Sequence, residues 1–98
     1  MNNIITSAKL AQYFSITKQA LEKAKVALDQ SRLKDANDFL DMAQRYYDDA
    51  HYFFDTKKDA VLAFAALNYA HGWLDAGARI GLFKVKDSRL FTVDGERI

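Results

Sequence analysis

Ala36-Asn37-Asp38-Phe39-Leu40-Asp41-Met42-Ala43-Gln44-Arg45-Tyr46-Tyr47-Asp48-Asp49-Ala50-His51-Tyr52-Phe53-Phe54 is the stretch that decides the fold. Its apolar positions, Ala36, Phe39, Leu40, Ala43, Tyr46, Tyr47, Ala50, Phe53 and Phe54, recur at i, i+3, i+4 and i+7. That is the face of an amphipathic helix. Asp48, Tyr52 and Asp55 fall on the opposite side. Asp35 and Asp38 lie near its start, where the helix dipole favours anions.

Residues 8–28 read the same way, with Ala8, Ala11, Phe14, Leu21, Ala24 and Leu28 as the stripe. Gln30-Ser31-Arg32-Leu33-Lys34 reads as the first turn, with Ser31 as the cap. Thr56-Lys57-Lys58-Asp59 has capping-box spacing with Thr56 as N-cap. A loop that short forces a helical hairpin. The third helix is expected to end before Gly81, a good residue for the left-handed C′ position.

The pattern predicts one domain over residues 1–98. It is an all-α, three-helix antiparallel up-down bundle, with helices at about 4–30, 33–55 and 57–80. A short extended C-terminal tail, 82–98, is expected to pack on helix three. A chain of 98 residues without proline, with four glycines and half its residues hydrophobic, fits that class better than a sandwich or barrel.

The charges are segregated. Residues 1–34 carry a net +4 and residues 35–56 a net −5, while the whole chain is +1. That balance excludes a strongly basic nucleic-acid arm or an acidic tail. There is no cysteine, hence no disulfide framework, thiolate metal site or cysteine nucleophile. The N-terminus lacks a signal-peptide pattern and no apolar run has membrane length. A cytoplasmic setting is the expectation.

Helix three is apolar over more than half its circumference, so something covers its back. The candidates are the tail, folded back over it, or a second copy of the chain in a homodimer. Ala65, Gly72 and Ala76 form a small-residue patch there. Gly72 in mid-helix costs about 1 kcal/mol against Ala, a reason to expect close approach by another segment. With Tyr69 and Trp73 these residues are the candidate interface.

The narrow polar stripe of the same helix holds Asn68, His71, Asp75 and Arg79. His71 and Asp75 stand at i, i+4, where a carboxylate can orient an imidazole. On helix two, His51 lies near Tyr47, and His51 and His71 are expected at the edges of one groove. The candidate ligand-binding residues are therefore Tyr47, Asp49, His51, Asn68, His71 and Asp75. No His pair has helical metal-ligand spacing, and the Asp run lacks the calcium-loop pattern, so no metal and no cofactor is assigned. No catalytic residue is assigned, since no nucleophile motif accompanies the His-Asp pair. Arg45 and His51 fit the loose Arg-x5-His spacing of HEPN-type ribonucleases. They sit about 120° apart on a helix and lack a basic surround, so a nucleic-acid partner is not expected.

The run Tyr69-Ala70-His71-Gly72-Trp73-Leu74-Asp75-Ala76-Gly77, with Asp48-Asp49-Ala50-His51 upstream, resembles the archaeal "domain of unknown function 357" family. The resemblance implies a compact bundle of three helices and an archaeal origin. It implies no activity. It directs attention to Asp49, Tyr69, His71, Gly72, Trp73 and Asp75. Taken together, the sequence favours a non-enzymatic protein-interaction or dimerisation module built on helix three and the tail. A small-ligand or metal-binding site at the His-Asp pair, with or without catalysis, is the alternative, and HEPN-like RNA binding or cleavage the remote one.

Overall fold

A computed structural model describes residues 6–91. The expected helical positions 4 and 5, and tail positions 92–98, lie outside the described residues. Three helices make up the fold: α1 (Ser7–Lys25), α2 (Leu33–His51) and α3 (Ala60–Arg79). The chain is all-α, with no strand among the described residues.

Local chemistry sets each boundary. Thr6 caps α1 by accepting from the Lys9 N–H at 3.1 Å. The helix ends at Lys25, five residues short of the expected 30. Asp29 then starts a separate 3₁₀ turn, Gln30–Arg32. Asp29 supplies the cap expected of Ser31, accepting from the Ser31 N–H at 3.1 Å and from its hydroxyl at 2.8 Å.

The second junction also differs from expectation. A π turn, Tyr52–Thr56, prolongs α2, so Thr56 closes that helix rather than opening the next. The cap of α3 is Asp59, whose carboxylate accepts from the Leu62 N–H at 2.9 Å. Lys58, at φ +56°, makes the reversal between them. At the other end Gly81 takes φ +80°, as expected of a C′ residue. The Gly81 N–H reaches the Ala78 carbonyl and the Leu82 N–H reaches the Gly77 carbonyl, the paired bonds of a Schellman motif.

The innermost positions are alanines rather than aromatics. Ala36, Ala43 and Ala50 on α2 are fully buried, as are Ala63 and Ala70 on α3, with Gly77 buried beyond them. Phe39 meets Trp73 edge-on at 5.0 Å, and Tyr46 stacks on Tyr69 at 5.3 Å. In that register the three small residues of α2 come level with those of α3 in reverse order. Small side chains let the two backbones approach, and the large rings close the seam from outside.

Residues 82–91 complete one of two apolar clusters. Leu82, Phe83, Leu90 and Phe91 are buried with Ala20, Leu21, Ala24 and Leu74. The Asp29 N–H donates to Leu82 O at 2.8 Å and the Lys84 N–H to Ala27 O at 2.7 Å. Arg32 Nη2 donates to Ile80 O at 2.8 Å, placing a cation at the negative end of α3. No helix among the described residues is long and apolar enough to cross a membrane.

Candidate functional site

The six candidate ligand-binding residues do not form one site. They divide among three places, each with its own partners.

The first lies on α2. His51 Nε2 is 3.1 Å from Tyr47 Oη and its Nδ1 is 3.2 Å from Asp55 Oδ2. A neutral imidazole satisfies both by donating from Nδ1 to the carboxylate and accepting the phenol proton at Nε2. Burial, then the charges of Asp48 and Glu22, push the Tyr47 phenol above its ordinary value. It therefore stays a donor to His51 Nε2, in the chain Asp55–His51–Tyr47. Phe14 covers the imidazole, with ring centroids 4.4 Å apart.

The second lies between α1, α3 and the tail. A cavity of 340 Å³ is lined by Tyr13, Thr17, Leu67, Asn68, His71 and Asp75, among others. His71 Nε2 donates to the Leu90 carbonyl at 2.8 Å, leaving Nδ1 to accept from the Thr17 hydroxyl at 3.3 Å. Both ring nitrogens are thus committed to holding three segments together. Neither Tyr47 nor His51 lines this cavity. The expectation that both histidines share one groove is corrected: α1 places Phe14 against His51 and Thr17, a turn later, against His71. No group of three His, Cys, Asp or Glu side chains among the described residues could hold a metal ion.

The third is a groove between α2 and α3. It encloses 230 Å³ and is lined by Tyr46, Asp49, Phe53, Leu62, Ala65, Ala66 and Tyr69. Of the ligand candidates only Asp49 lies here. Of the interface candidates, Ala65 and Tyr69 line it, and Gly72 and Ala76 continue the same face toward the C-terminus, both exposed. Trp73 turns inward and is half-buried against Phe39. A Cβ built at Gly72 meets nothing within 4 Å, so no described segment of this chain makes the close approach expected there. The described part of the tail covers a different side of α3, against Gly77 and His71.

Leu62 and Tyr69 were legible as apolar positions, yet they stand 46% and 63% exposed. Positions 62, 65, 69, 72 and 76 repeat at alternating spacings of three and four, the seam pattern of a helix that meets another helix. That spacing singles out Leu62, which apolar character alone does not separate from the rest of the arc. Arg45 ion-pairs with Asp41 at 2.9 Å while His51 engages Tyr47 and Asp55, so the two ribonuclease-like residues have separate partners.

A family model described as "Protein of unknown function (DUF357)" matches residues 12–83. No curated protein and no solved structure matches the chain.

Proposed function

The chain belongs to the DUF357 family of proteins of unknown function, and from that premise we propose that it is a non-enzymatic interaction module whose contact surface is the outer face of α3. The observation that carries the reading is the seam Leu62, Ala65, Tyr69, Gly72 and Ala76, apolar, in helix-pairing register and open to solvent at its centre. An exposed aromatic beside small residues is how an interface provides a knob and a hole. His71 fits the same reading, because its ring nitrogens join α1 and the segment after α3 to this helix. The absence of cysteine fits a reducing, cytoplasmic setting.

A photoreactive residue at position 69, compared with one at exposed position 18 of α1, tests this in the cells that make the protein. A discrete cross-linked product from position 69 alone, to a partner or a second copy, is expected. Equal products from both positions, or none, would overturn the reading.

The 340 Å³ cavity beside His71 favours a second reading, a small-ligand site among Asn68, His71 and Asp75. Native mass spectrometry of the gently purified chain would show an added mass. Asn68→Trp, which fills the exposed mouth, would remove it.

A further inference from the structure

The groove between α2 and α3 has two unlike walls. The α3 wall is uncharged along its seam, from Leu62 to Ala76. The α2 wall is acidic. Asp49 lines the groove, and Asp38 and Asp35, three and four turns earlier, lie on the same side of the helix. These three carboxylates span about 21 Å of helix. None has a side-chain hydrogen bond or ion pair with a described residue. The one cation of this stretch, Arg45, is drawn off onto Asp41. The other acidic side chains are also engaged: Asp48 with Gln44, and Asp55 with His51.

Resting on the interaction reading above, we propose that the occupant of this groove is an amphipathic helix of a partner protein with Lys or Arg along one flank. Its apolar edge lies on Leu62, Ala65, Tyr69 and Gly72. Its cationic flank runs beside Asp35, Asp38 and Asp49. The open space at Gly72 admits a large side chain of that helix, and Tyr69, stacked on Tyr46, presents a pre-set ring to it. A helix laid into an apolar groove is a recurring recognition mode. Its charged rim sets orientation and on-rate more than affinity. A second copy fits less well, because two-fold pairing brings the same three carboxylates to both sides of the seam.

Panning the full chain against a display library of helical peptides tests the occupant. One flank of each peptide is randomised among basic, acidic and neutral residues. The expected winners carry Lys or Arg on that flank. They bind the Asp35→Asn, Asp38→Asn, Asp49→Asn variant about tenfold more weakly, a difference that shrinks in high salt. Winners with neutral or acidic flanks, or winners indifferent to the triple variant, would overturn the proposal while leaving α3 an interaction face. A dimer in sedimentation that Tyr69→Lys disperses would do the same, in favour of a second copy. If no winner depends on Tyr69, both the occupant and the interaction reading fall. Each substituted side chain is exposed, so circular dichroism should report an unchanged fold in every variant.

Discussion

The ring of Phe83 fills the space that a side chain at Gly77 would need. A Cβ built there would collide with the ring edge and stand 2.7 Å from Cδ2. Phe83 is fully buried and cannot swing out without opening the cluster it shares with Leu74, Leu82 and Leu90. Gly77→Ala should therefore cost about 1–3 kcal/mol, the usual range for overpacking. Urea denaturation would show the midpoint falling. An unchanged midpoint would mean the segment after α3 is not held against it.

Gly72 lies five residues earlier on the same helix and predicts the opposite sign. A Cβ there meets open space, and its backbone is helical. Gly72→Ala should stabilise the isolated chain by about 0.5–1 kcal/mol, because alanine loses less backbone entropy in a helix. The same denaturation series would show the midpoint rising. A fall would reveal a neighbour at that position in solution, such as a second copy.

Thr17 is buried at 1% exposure and its hydroxyl faces His71 Nδ1. With Nε2 donating to Leu90 O, Nδ1 needs a donor. Thr17→Val keeps the shape and removes that donor, leaving a half-buried acceptor unpaired at about 1–3 kcal/mol. Thr17→Ser keeps the hydroxyl and should lose only the transfer free energy of a methyl, about 1 kcal/mol. Thermal unfolding of the two variants side by side would separate the hydrogen bond from the packing. Equal losses would assign the site to packing alone.

The helical class was legible because the apolar period of 36–54 is long and unbroken, and Gly81 was legible because few residues accept its φ. The α2–α3 junction was not. Thr56 and Asp59 are both capping residues at compatible spacing, and only the π turn, which carries α2 through Thr56, hands the cap to Asp59. The inner seam was hidden for a different reason. Side-chain size favours Phe39, Tyr46 and Phe53 over Ala36, Ala43 and Ala50 as core residues, yet close helix packing puts the alanines at the centre and the rings at the rim. The candidate site suffered most from distance. His51 and His71 each looked like a groove residue along its own helix. What separates them is α1, whose Phe14 and Thr17 take one histidine each, and no periodicity within α2 or α3 contains that information.

Two carboxylates give the fold an acid-sensitive component. Asp29, 8% exposed, accepts from Arg32 and Ser31, and these bonds lower its carboxyl from the ordinary 3.8 to about 2. Arg89 does the same for Asp87, again to about 2, with Lys23 nearby at 3.6 Å. A carboxyl whose folded value lies below its unfolded value binds protons more weakly in the native state. Its contribution is therefore present above the unfolded value of about 3.8 and is lost as pH falls toward 2. Thermal midpoints should hold level near neutrality and drop between about pH 4 and pH 2. Asp29→Asn with Asp87→Asn should melt lower than the parent at neutral pH and show a shallower decline in acid. Because Asp29 sits where residues 27–29 meet 82–84, the acid-induced loss should appear first in the exchange protection of the Asp29 and Lys84 amides. Parallel declines in parent and double variant would show that these two pairs contribute nothing to acid sensitivity.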